Sequence, residues 1–461
     1  MKLAISTLAL LFVTFATPLP AQDRIATIRQ AALNDDTAWS IIEGLTSEIG
    51  PRPAGSETEA RARAWAVARL KALGFANVHV EPFDIADGWV RGEERAEIVA
   101  PFPQPLVLTA LGGSGATPAA GFTGEVVAFA TLDALRAADP ALIRGKIVYL
   151  GNQMVAARDG TNYAAFTPFR RRGPSVAAQK AAIAILIRSI GTDHHRVAHA
   201  GQTNWADGVS PIPAAALTVP DAEQVERILT RGKPVTVHLV LTPRRVGRQI
   251  SGNVIAEVPG RDPALPIIVV GGHLDSWDLG TGAIDDGAGI AITAAAAKQV
   301  MAAGRPLRTI RLVWFGSEEP GGLGGEAYAA AHPADRPGLV SEADFGGDRV
   351  WRFMASTAPS GTPVVDRMAA ALAPLGVDWG GETAQAGSDV WPLVDRGAAR
   401  FALAQDGTRY FDVHHTADDT LDKIDRAQLR QAVAAWTMVL AVAADSAEPL
   451  GPVTPSTPAA H

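Results

Sequence analysis

Residues 267–275 read IIVVGGHLD, in which four apolar residues lead through two glycines to a histidine and an aspartate. The short β-branched run predicts a buried strand over Ile267–Val270. An alanine-rich segment predicts a helix over Ala288–Ala302, and a second apolar strand is predicted over Thr309–Phe315. Because strands and helices alternate here, we expect an α/β fold in which helices cover a sheet.

Two separated stretches, residues 22–102 and residues 246–444, are expected to build this α/β part together. In the first stretch, Ser56 and Glu59 form a capping-box pair that predicts the start of a helix. Residues Asn77–Phe83 alternate apolar with polar side chains, which predicts a half-buried strand.

The sequence pattern changes between these two stretches, over residues 103–245. Short apolar runs separated by glycine and proline turns read as strands at Gly124–Ala128, Gly145–Leu150 and Ala181–Ile187. We therefore expect an inserted, mostly β domain.

Both ends of the chain are expected to lie outside the fold. Lys2 precedes an apolar run over Leu3–Ala16, and a cleavage site after Ala21 predicts that residues 1–21 are a signal peptide. The mature protein is then exported to the periplasm or the medium, and we expect no membrane span in it. Residues 445–461 are rich in Pro, Ala, Ser and Thr, which predicts disorder.

Composition excludes several classes of function. The 461 residues include 41 basic and 48 acidic side chains, a formal net charge of −7. Phosphate binding draws on a basic surface, so a nucleic-acid partner is not expected. The chain has no cysteine, which excludes disulfides, thiolate metal sites and cysteine nucleophiles.

Polar residues with metal-ligand chemistry follow the two predicted strands. Ligands bind beyond the carboxyl ends of strands in open α/β sheets, so these side chains are expected to meet. Two like charges ~4 Å apart repel by ~4 kcal/mol at an effective dielectric near ~20, so converging carboxylates require protons or metal ions. Two histidines in the set favour zinc over magnesium. The candidates are His273, Asp275, Asp285, Glu318, Glu319, Asp344 and His415.

The order of these motifs resembles the ligand set of metallopeptidase family 28. The motifs are His273–Asp278, Asp285–Gly287, Glu318–Glu319, Asp344 and His415–Thr416. The likeness is strongest to the carboxypeptidase Q (plasma glutamate carboxypeptidase) branch of co-catalytic zinc aminopeptidases and dipeptidases. It implies a mixed β-sheet of the zinc-exopeptidase type flanked by helices.

Three further segments support the resemblance. Ile49–Ser56 and Ala386–Asp389 also resemble that branch. Arg144–Val148, in the middle segment, resembles the protease-associated insertion that many family members carry. The branch also implies a possible homodimer.

The resemblance implies a role for each candidate. One zinc ion is held by His273 and Asp344, the other by Glu319 and His415, and Asp285 bridges both. Asp275 accepts the second ring N–H of His273 and fixes its tautomer. Glu318 is the general base that activates a metal-bridging water. A cis peptide is implied between Asp285 and Asp286.

Other readings of these residues stay open. His414 is an alternative to His415, Asp286 reads as an acid at a helix N-terminus, and Glu342 reads as a solvated acid. Asp418 and Asp419 read as caps of a turn or helix. The histidines of a separate group are expected in a surface loop, because no glutamate completes an H-E-x-x-H pattern there. These are His194, His195 and His199.

The implied activity is that of a secreted di-zinc exopeptidase on dipeptides or short peptides. The alternatives are an aminopeptidase on longer peptides, another di-metal amide hydrolase such as one cleaving N-acyl amino acids, or an inactive receptor-like binding module. Binding of a free α-amine requires an acid at the end of the pocket, for which Asp389 and Asp406 are candidates. Trp277 is a candidate for lining the pocket, with a core role as the alternative.

Overall fold

The computed structural model describes residues 21–454. Residues 1–20 of the predicted signal peptide and residues 455–461 of the predicted disordered tail lie outside the described residues. The helices are α1 (Ala21–Leu33), α2 (Thr37–Gly44), α3 (Glu57–Ala72), α4 (Leu132–Ala137), α5 (Pro140–Ile143), α6 (Thr161–Arg171), α7 (Gly173–Gln179), α8 (Val219–Leu229), α9 (Ala288–Ala302), α10 (Leu323–Ala331), α11 (Thr362–Leu372), α12 (Trp391–Val394), α13 (Tyr410–Val413) and α14 (Arg426–Ala444).

The strands follow the same chain order. They are β1 (Ala76–Val90), β2 (Glu94–Ala100), β3 (Gln104–Leu106), β4 (Leu108–Ala110), β5 (Phe122–Phe129), β6 (Ile147–Leu150), β7 (Ala184–Arg188), β8 (Ala214–Leu217), β9 (Thr236–Leu241), β10 (Arg244–Val258), β11 (Ile268–His273), β12 (Ile310–Phe315), β13 (Leu339–Glu342), β14 (Val350–Ser356), β15 (Asp378–Gly381) and β16 (Arg400–Gln405). Short turns are π-helical at Leu45–Ile49 and Ala283–Gly287, and 3-10 helical at Pro359–Gly361, Ala373–Leu375 and Leu421–Lys423.

The first sheet is mixed and has the order β1-β10-β12-β11-β13-β16-β14-β15. Its centre, β12-β11-β13-β16, is parallel, whereas β10 pairs antiparallel with both β1 and β12. All six residues of β11 are buried, as expected for a central parallel strand covered on both faces. Helix α9 packs on β11, and α14 packs on α9. The predicted α/β sheet flanked by helices is confirmed.

Local signals account for two helix boundaries. Helix α9 spans Ala288–Ala302, the range predicted from its alanine-rich sequence. Helix α3 begins after Ser56, whose Oγ accepts a hydrogen bond from the backbone N–H of Glu59 at 3.1 Å. The Glu59 carboxylate accepts in return from the N–H of Gly55 at 2.7 Å, one residue earlier than an ideal capping box.

Helix α14 is long and apolar enough to cross a membrane, judged by length and composition alone. In the protein, however, 78% of the apolar stretch of this helix is buried, as in a core helix. Within the part of the chain that the structure describes, it alone passes this test.

The second sheet has the order β3-β2-β9-β5-β6-β7-β8-β4 and is built from residues 94–241, here called the inserted segment. It starts earlier than the predicted residue 103, because β2 already pairs with β9. The segment also carries helices α4–α8, more helix than its turn-rich sequence indicated. Pro168 lies inside α6, where proline argues against a helix.

The inserted segment leaves and re-enters the first sheet at neighbouring points. Strands β1 and β10 pair antiparallel along their lengths, and Val90, at the end of β1, lies opposite Arg244, at the start of β10. The two ends of the inserted segment therefore lie side by side.

The disorder predicted from residue 445 onwards is wrong as far as residue 454. The guanidinium of Arg308 donates hydrogen bonds to the carbonyls of Ser446 and Glu448, both at 2.8 Å. Leu450 is buried, so this polar-looking segment is packed onto the core despite its composition.

Candidate metal centre

The predicted ligands come from five separate places in the fold. His273 is the last residue of β11, Glu319 follows β12, and Asp344 follows β13. Asp285 lies in the π-helical turn before α9, and His415 lies two residues after α13. The three strands are parallel neighbours, so their carboxyl ends bring these side chains to one edge of the sheet.

The carboxylate of Asp285 lies between two histidines. Its Oδ1 is 3.1 Å from Nε2 of His273, and its Oδ2 is 3.2 Å from Nε2 of His415. Oε2 of Glu319 is 3.1 Å from Nε2 of His415, and Oδ1 of Asp344 is 3.7 Å from Nε2 of His273. The five side chains thus form two groups that share Asp285.

These donor atoms fit metal ions. Oε1 of Glu319 and Oδ1 of Asp344 are buried and have no hydrogen-bond partner in the described structure. Ligand atoms of His273, Asp285 and Glu319 all lie within 4.8 Å of one another. Burial raises the pKa of Glu319 to about 7, and the contact with His415 opposes this rise. The raised pKa reflects the cost of holding a charged carboxylate in this buried cluster. Imidazole nitrogen and carboxylate oxygen together are the donors that zinc accepts.

Each histidine also turns its other ring nitrogen away from the cluster. Nδ1 of His273 is 2.9 Å from the carbonyl oxygen of Asp275, and Nδ1 of His415 is 3.2 Å from the carbonyl oxygen of Ala200. A carbonyl only accepts, so both Nδ1 atoms donate, and in the neutral form of each ring Nε2 carries the lone pair that a metal ion would bind.

Asp275 faces both His273 and the turn after β12. Its carboxylate Oδ1 is 3.6 Å from Nδ1 of His273, and its backbone carbonyl oxygen is 2.9 Å from the same nitrogen, so its expected role towards the His273 ring stays a prediction. The carboxylate accepts from the backbone N–H groups of Glu318 and Glu319 at 3.0 and 3.2 Å. Asp275 therefore orients the turn that carries both glutamates.

The two adjacent glutamates have separate surroundings. Glu319 contacts His415, whereas Oε1 of Glu318 accepts a hydrogen bond from Oγ of Ser388 at 2.8 Å. Glu318 is partly exposed, and burial of its carboxylate raises the pKa of Glu318 above its ordinary value. A carboxylate that is free of histidine contacts and has a raised pKa is suited to general base catalysis.

Asp286 links the cluster to helix α9. Its Oδ1 accepts from the N–H of Gly289 in the first turn of α9, and its Oδ2 accepts from the N–H of His273 at 3.0 Å. This agrees with an acid at a helix N-terminus. The peptide between Asp285 and Asp286 is cis, as the family resemblance implied.

Asp419 supports the bridging residue, a role that the sequence did not reveal. Its carboxylate accepts from the backbone N–H groups of Ile284 and Asp285 at 2.6 and 3.2 Å. Burial raises the pKa of Asp419 to about 7. Asp419 thus caps a helical turn, as its sequence context indicates, but the separation of 134 positions from Asp285 leaves no local signal for which turn it caps.

Arg52 holds the loops of the cluster together. Its buried guanidinium donates to the carbonyls of Leu274, Thr281 and Gly282 at 2.6, 2.6 and 2.9 Å. It also donates to the carbonyl of Gly50 at 3.1 Å. Burial lowers the pKa of Arg52 to about 10, although the nearby carboxylates favour its charged form.

We expect Arg52→Met to lower the free energy of unfolding by about 3 kcal/mol or more, because it leaves buried carbonyls without donors. Denaturant unfolding checks this. Arg61→Met, at an exposed position of α3, is the control and is expected to have little effect. Equal stability of Arg52→Met and the unsubstituted protein would contradict the role given to Arg52.

The remaining histidines divide into two kinds. His194 and His195 are exposed, as predicted for a surface loop, but His199 is buried and this part of the prediction is wrong. His414 stacks on His415 with ring centroids 3.6 Å apart, and its Nε2 is 3.4 Å from Oδ2 of Asp285. His415 contacts Glu319 as well, which favours it over His414 as the ligand.

The three residues predicted to bind substrate have different surroundings. Asp389 is 1% exposed, and its Oδ1 accepts from the N–H of Gly325. Asp406 pairs with Arg158 at 3.0 Å, outside the metal cluster. The ring of Trp277 lies beside the cluster, with its centroid 5.7 Å from that of His415, and Asp389 directly follows Ser388, which contacts Glu318.

Glu342, which we had interpreted as a solvated acid, is also buried. Its Oε2 accepts from the N–H of Asp389 at 2.8 Å, and its Oε1 has no hydrogen-bond partner in the described structure. Burial and the neighbouring Asp344 raise the pKa of Glu342 well above its ordinary value. Its position at the end of buried strand β13 explains the difference.

Comparisons with known proteins agree with this geometry. Residues 253–440 match the family described as Peptidase family M28. Carboxypeptidase Q from Bos taurus is 34% identical over 411 residues, which cover 88% of this chain and 85% of that protein.

Solved structures show the same similarity. A peptidase M28 precursor from Shewanella amazonensis superposes with a TM-score of 0.92 at 44% identity, covering 94% of this chain and 99% of that one. A zinc aminopeptidase from Bacillus subtilis shares the fold with a TM-score of 0.63 at 21% identity, covering 89% of this chain and 95% of that one.

Proposed function

Because this chain belongs to peptidase family M28 and is a zinc metallopeptidase, we propose that it is a di-zinc exopeptidase that hydrolyses dipeptides or short peptides. The observation that carries the proposal is the Asp285 carboxylate, whose two oxygens each face the Nε2 of a different histidine. A shared carboxylate between two ligand groups is the arrangement that two neighbouring ions require.

The chain's own residues divide between the two ions. His273 and Asp344 would hold one ion, Glu319 and His415 would hold the other, and Asp285 would contribute to both. Bound zinc supplies a water of lowered pKa and a Lewis acid for the peptide carbonyl. Asp275, Asp286 and Asp419 fix the backbone on which these ligands stand. 

Glu318 moves the proton in this mechanism. Its carboxylate accepts a proton from the attacking water and then donates it to the nitrogen of the departing amine. Ser388 donates a hydrogen bond to Oε1 of Glu318 and thereby limits its rotamers. The division of contacts supports this role for Glu318, since Glu319 is engaged with His415.

The inserted segment supports the preference for short substrates. Trp277 lies between His415 and Gly112 of the inserted segment, and a Cβ on Gly112 would approach the Trp277 ring to 2.3 Å. Trp277 and the inserted segment would therefore form a wall on this side of the metal cluster and limit the length of the substrate.

The test is a substrate panel with the purified zinc-loaded protein. We expect release of free amino acids from unblocked dipeptides, loss of activity with a chelator, and recovery when zinc is added back. Preferential cleavage of longer peptides from the amino end would favour an aminopeptidase, and cleavage of N-acyl amino acids would favour another amide hydrolase. A loaded protein without hydrolytic activity on the panel would contradict the proposal and favour a receptor-like module.

Two further parts of the proposal concern the whole protein. Export, with cleavage after Ala21, and homodimerisation stay predictions. Amino-terminal sequencing of the mature protein and its mass in solution test them.

A further inference from the structure

The loop between β7 and β8 of the inserted segment lies against the chain that carries His415. Its residues 192–200 are here called the clasp loop. The N–H of Thr192 donates to the carbonyl of Phe411 at 3.1 Å, and Oγ1 of Thr192 donates to Asp412 at 2.7 Å. The clasp loop thus joins the second sheet to helix α13, which precedes His415.

The clasp loop contacts the ligand histidine through its backbone. The N–H of Ala200 donates to the carbonyl of His415 at 2.9 Å, and Nδ1 of His415 donates to the carbonyl of Ala200 at 3.2 Å. His415 has a φ of 61°, in the left-handed region that costs energy for a residue with a side chain. Surrounding contacts must therefore hold it.

His199 supplies the central contact of the clasp loop. Its side chain is 1% exposed, and Nδ1 donates to the carbonyl of His414 at 2.8 Å. Nε2 lies 2.7 Å from Oδ1 of Asp193, and Oδ2 of Asp193 accepts from the N–H of His195. Asp193 is buried too, so it holds the ring from the side opposite His414.

The packing around His199 leaves it little freedom. Its backbone N–H donates to Oγ of Ser189 at 3.0 Å. A Cβ on Gly191 would approach the His199 ring to 2.2 Å, so Gly191 is the residue that lets the chain pass against the ring. The ring is held on several sides and is not free to serve a ligand of its own.

We propose that His199, oriented by Asp193, is a positioning residue that sets the direction of the ligand His415, so that the inserted segment determines the zinc affinity of one half of the metal centre. The inference rests on the proposed function, because it assumes that His415 binds zinc. It goes further by giving a buried pair outside the ligand set a defined effect on one ion. His273 and Asp344, the ligands proposed for the other ion, have no hydrogen bond or ion pair with the clasp loop among the described residues.

Zinc binding tests this inference in the full-length mature protein. In His199→Leu, which keeps bulk but removes both donors, we expect one zinc ion to bind about 10–100-fold more weakly while the other keeps its affinity. His199→Asn carries an amide nitrogen near the position of Nδ1 and is expected to restore most of the affinity. His194→Ala is the matched control, since His194 belongs to the same loop and its side chain is 72% exposed.

The readouts separate positioning from a general loss of structure. Zinc affinity is measured by chelator competition, and the visible spectrum of the cobalt-loaded protein reports the geometry of the weakened site. Equal weakening of both ions, with no recovery in His199→Asn, would show a general structural effect and overturn the inference. Unchanged binding in His199→Leu would overturn it as well, whereas failure of the unsubstituted protein to bind two ions would overturn the proposed function together with it.

Discussion

Replacing Glu318 with glutamine lowers the kcat of the zinc-loaded protein by about 10²–10⁴-fold, the usual contribution of a general acid–base group. The amide has nearly the same shape as the carboxylate, and its nitrogen or oxygen still faces Ser388. It cannot take the proton from the attacking water. Steady-state kinetics on a dipeptide measure the loss, and zinc content is measured on the same sample.

Zinc content decides how this result is interpreted. We expect Glu318→Gln to bind as much zinc as the unsubstituted protein, because Glu318 contacts none of the five ligand side chains by hydrogen bond or ion pair in the described structure. Glu326→Gln, at an exposed position of α10, is the control and should keep its activity. Normal turnover in Glu318→Gln would remove Glu318 from the mechanism.

Asp285→Asn is expected to weaken the binding of both zinc ions, each by more than about 100-fold. The reason for this size is that loss of a residue outside the ligand set already lowers metal affinity by about 10–100-fold. Hydrolysis should fall accordingly. The reason is that each oxygen of this carboxylate faces a different histidine. Equilibrium dialysis against zinc gives the stoichiometry and both affinities.

The metal-free form provides an independent check on Asp285→Asn. Although burial raises it, the contacts with His273 and His415 hold the pKa of Asp285 well below its ordinary value, so the carboxylate stabilises the metal-free fold and the metal-free variant should unfold more easily than the metal-free unsubstituted protein. Asp133→Asn, at an exposed position of α4, should leave both zinc affinities unchanged. Loss of one ion alone in Asp285→Asn would show that the carboxylate is not shared.

Much of the fold and of the metal cluster could be predicted from the sequence, because the patterns that indicate them lie within short segments of the chain. Strand β11 is buried on both faces, so it appears as an unbroken apolar run with His273 at its end. Helix α9 was predicted at its observed bounds from its alanine content. The order of ligand motifs along the chain carried the resemblance that assigned their roles.

The supporting residues could not be predicted, because their partners are distant in sequence. Arg52 acts on carbonyls more than 220 residues away, and His199 acts on a carbonyl 215 residues away. The carboxylate of Asp275 also accepts from backbone N–H groups more than 40 residues away, a contact that no residue pattern indicates. Such contacts depend on how loops meet after folding.

The antiparallel pairing of β1 with β10 has a consequence for how this protein can be taken apart. Because Val90 lies opposite Arg244, a tight turn could replace residues 91–243. The strands β1 and β10 would then form a simple hairpin at the edge of the first sheet. Such a shortened protein would retain four of the five proposed zinc ligands in their native framework. It would lose the backbone of Ala200, which contacts the fifth proposed ligand, His415. The inserted segment therefore contributes to the metal centre itself.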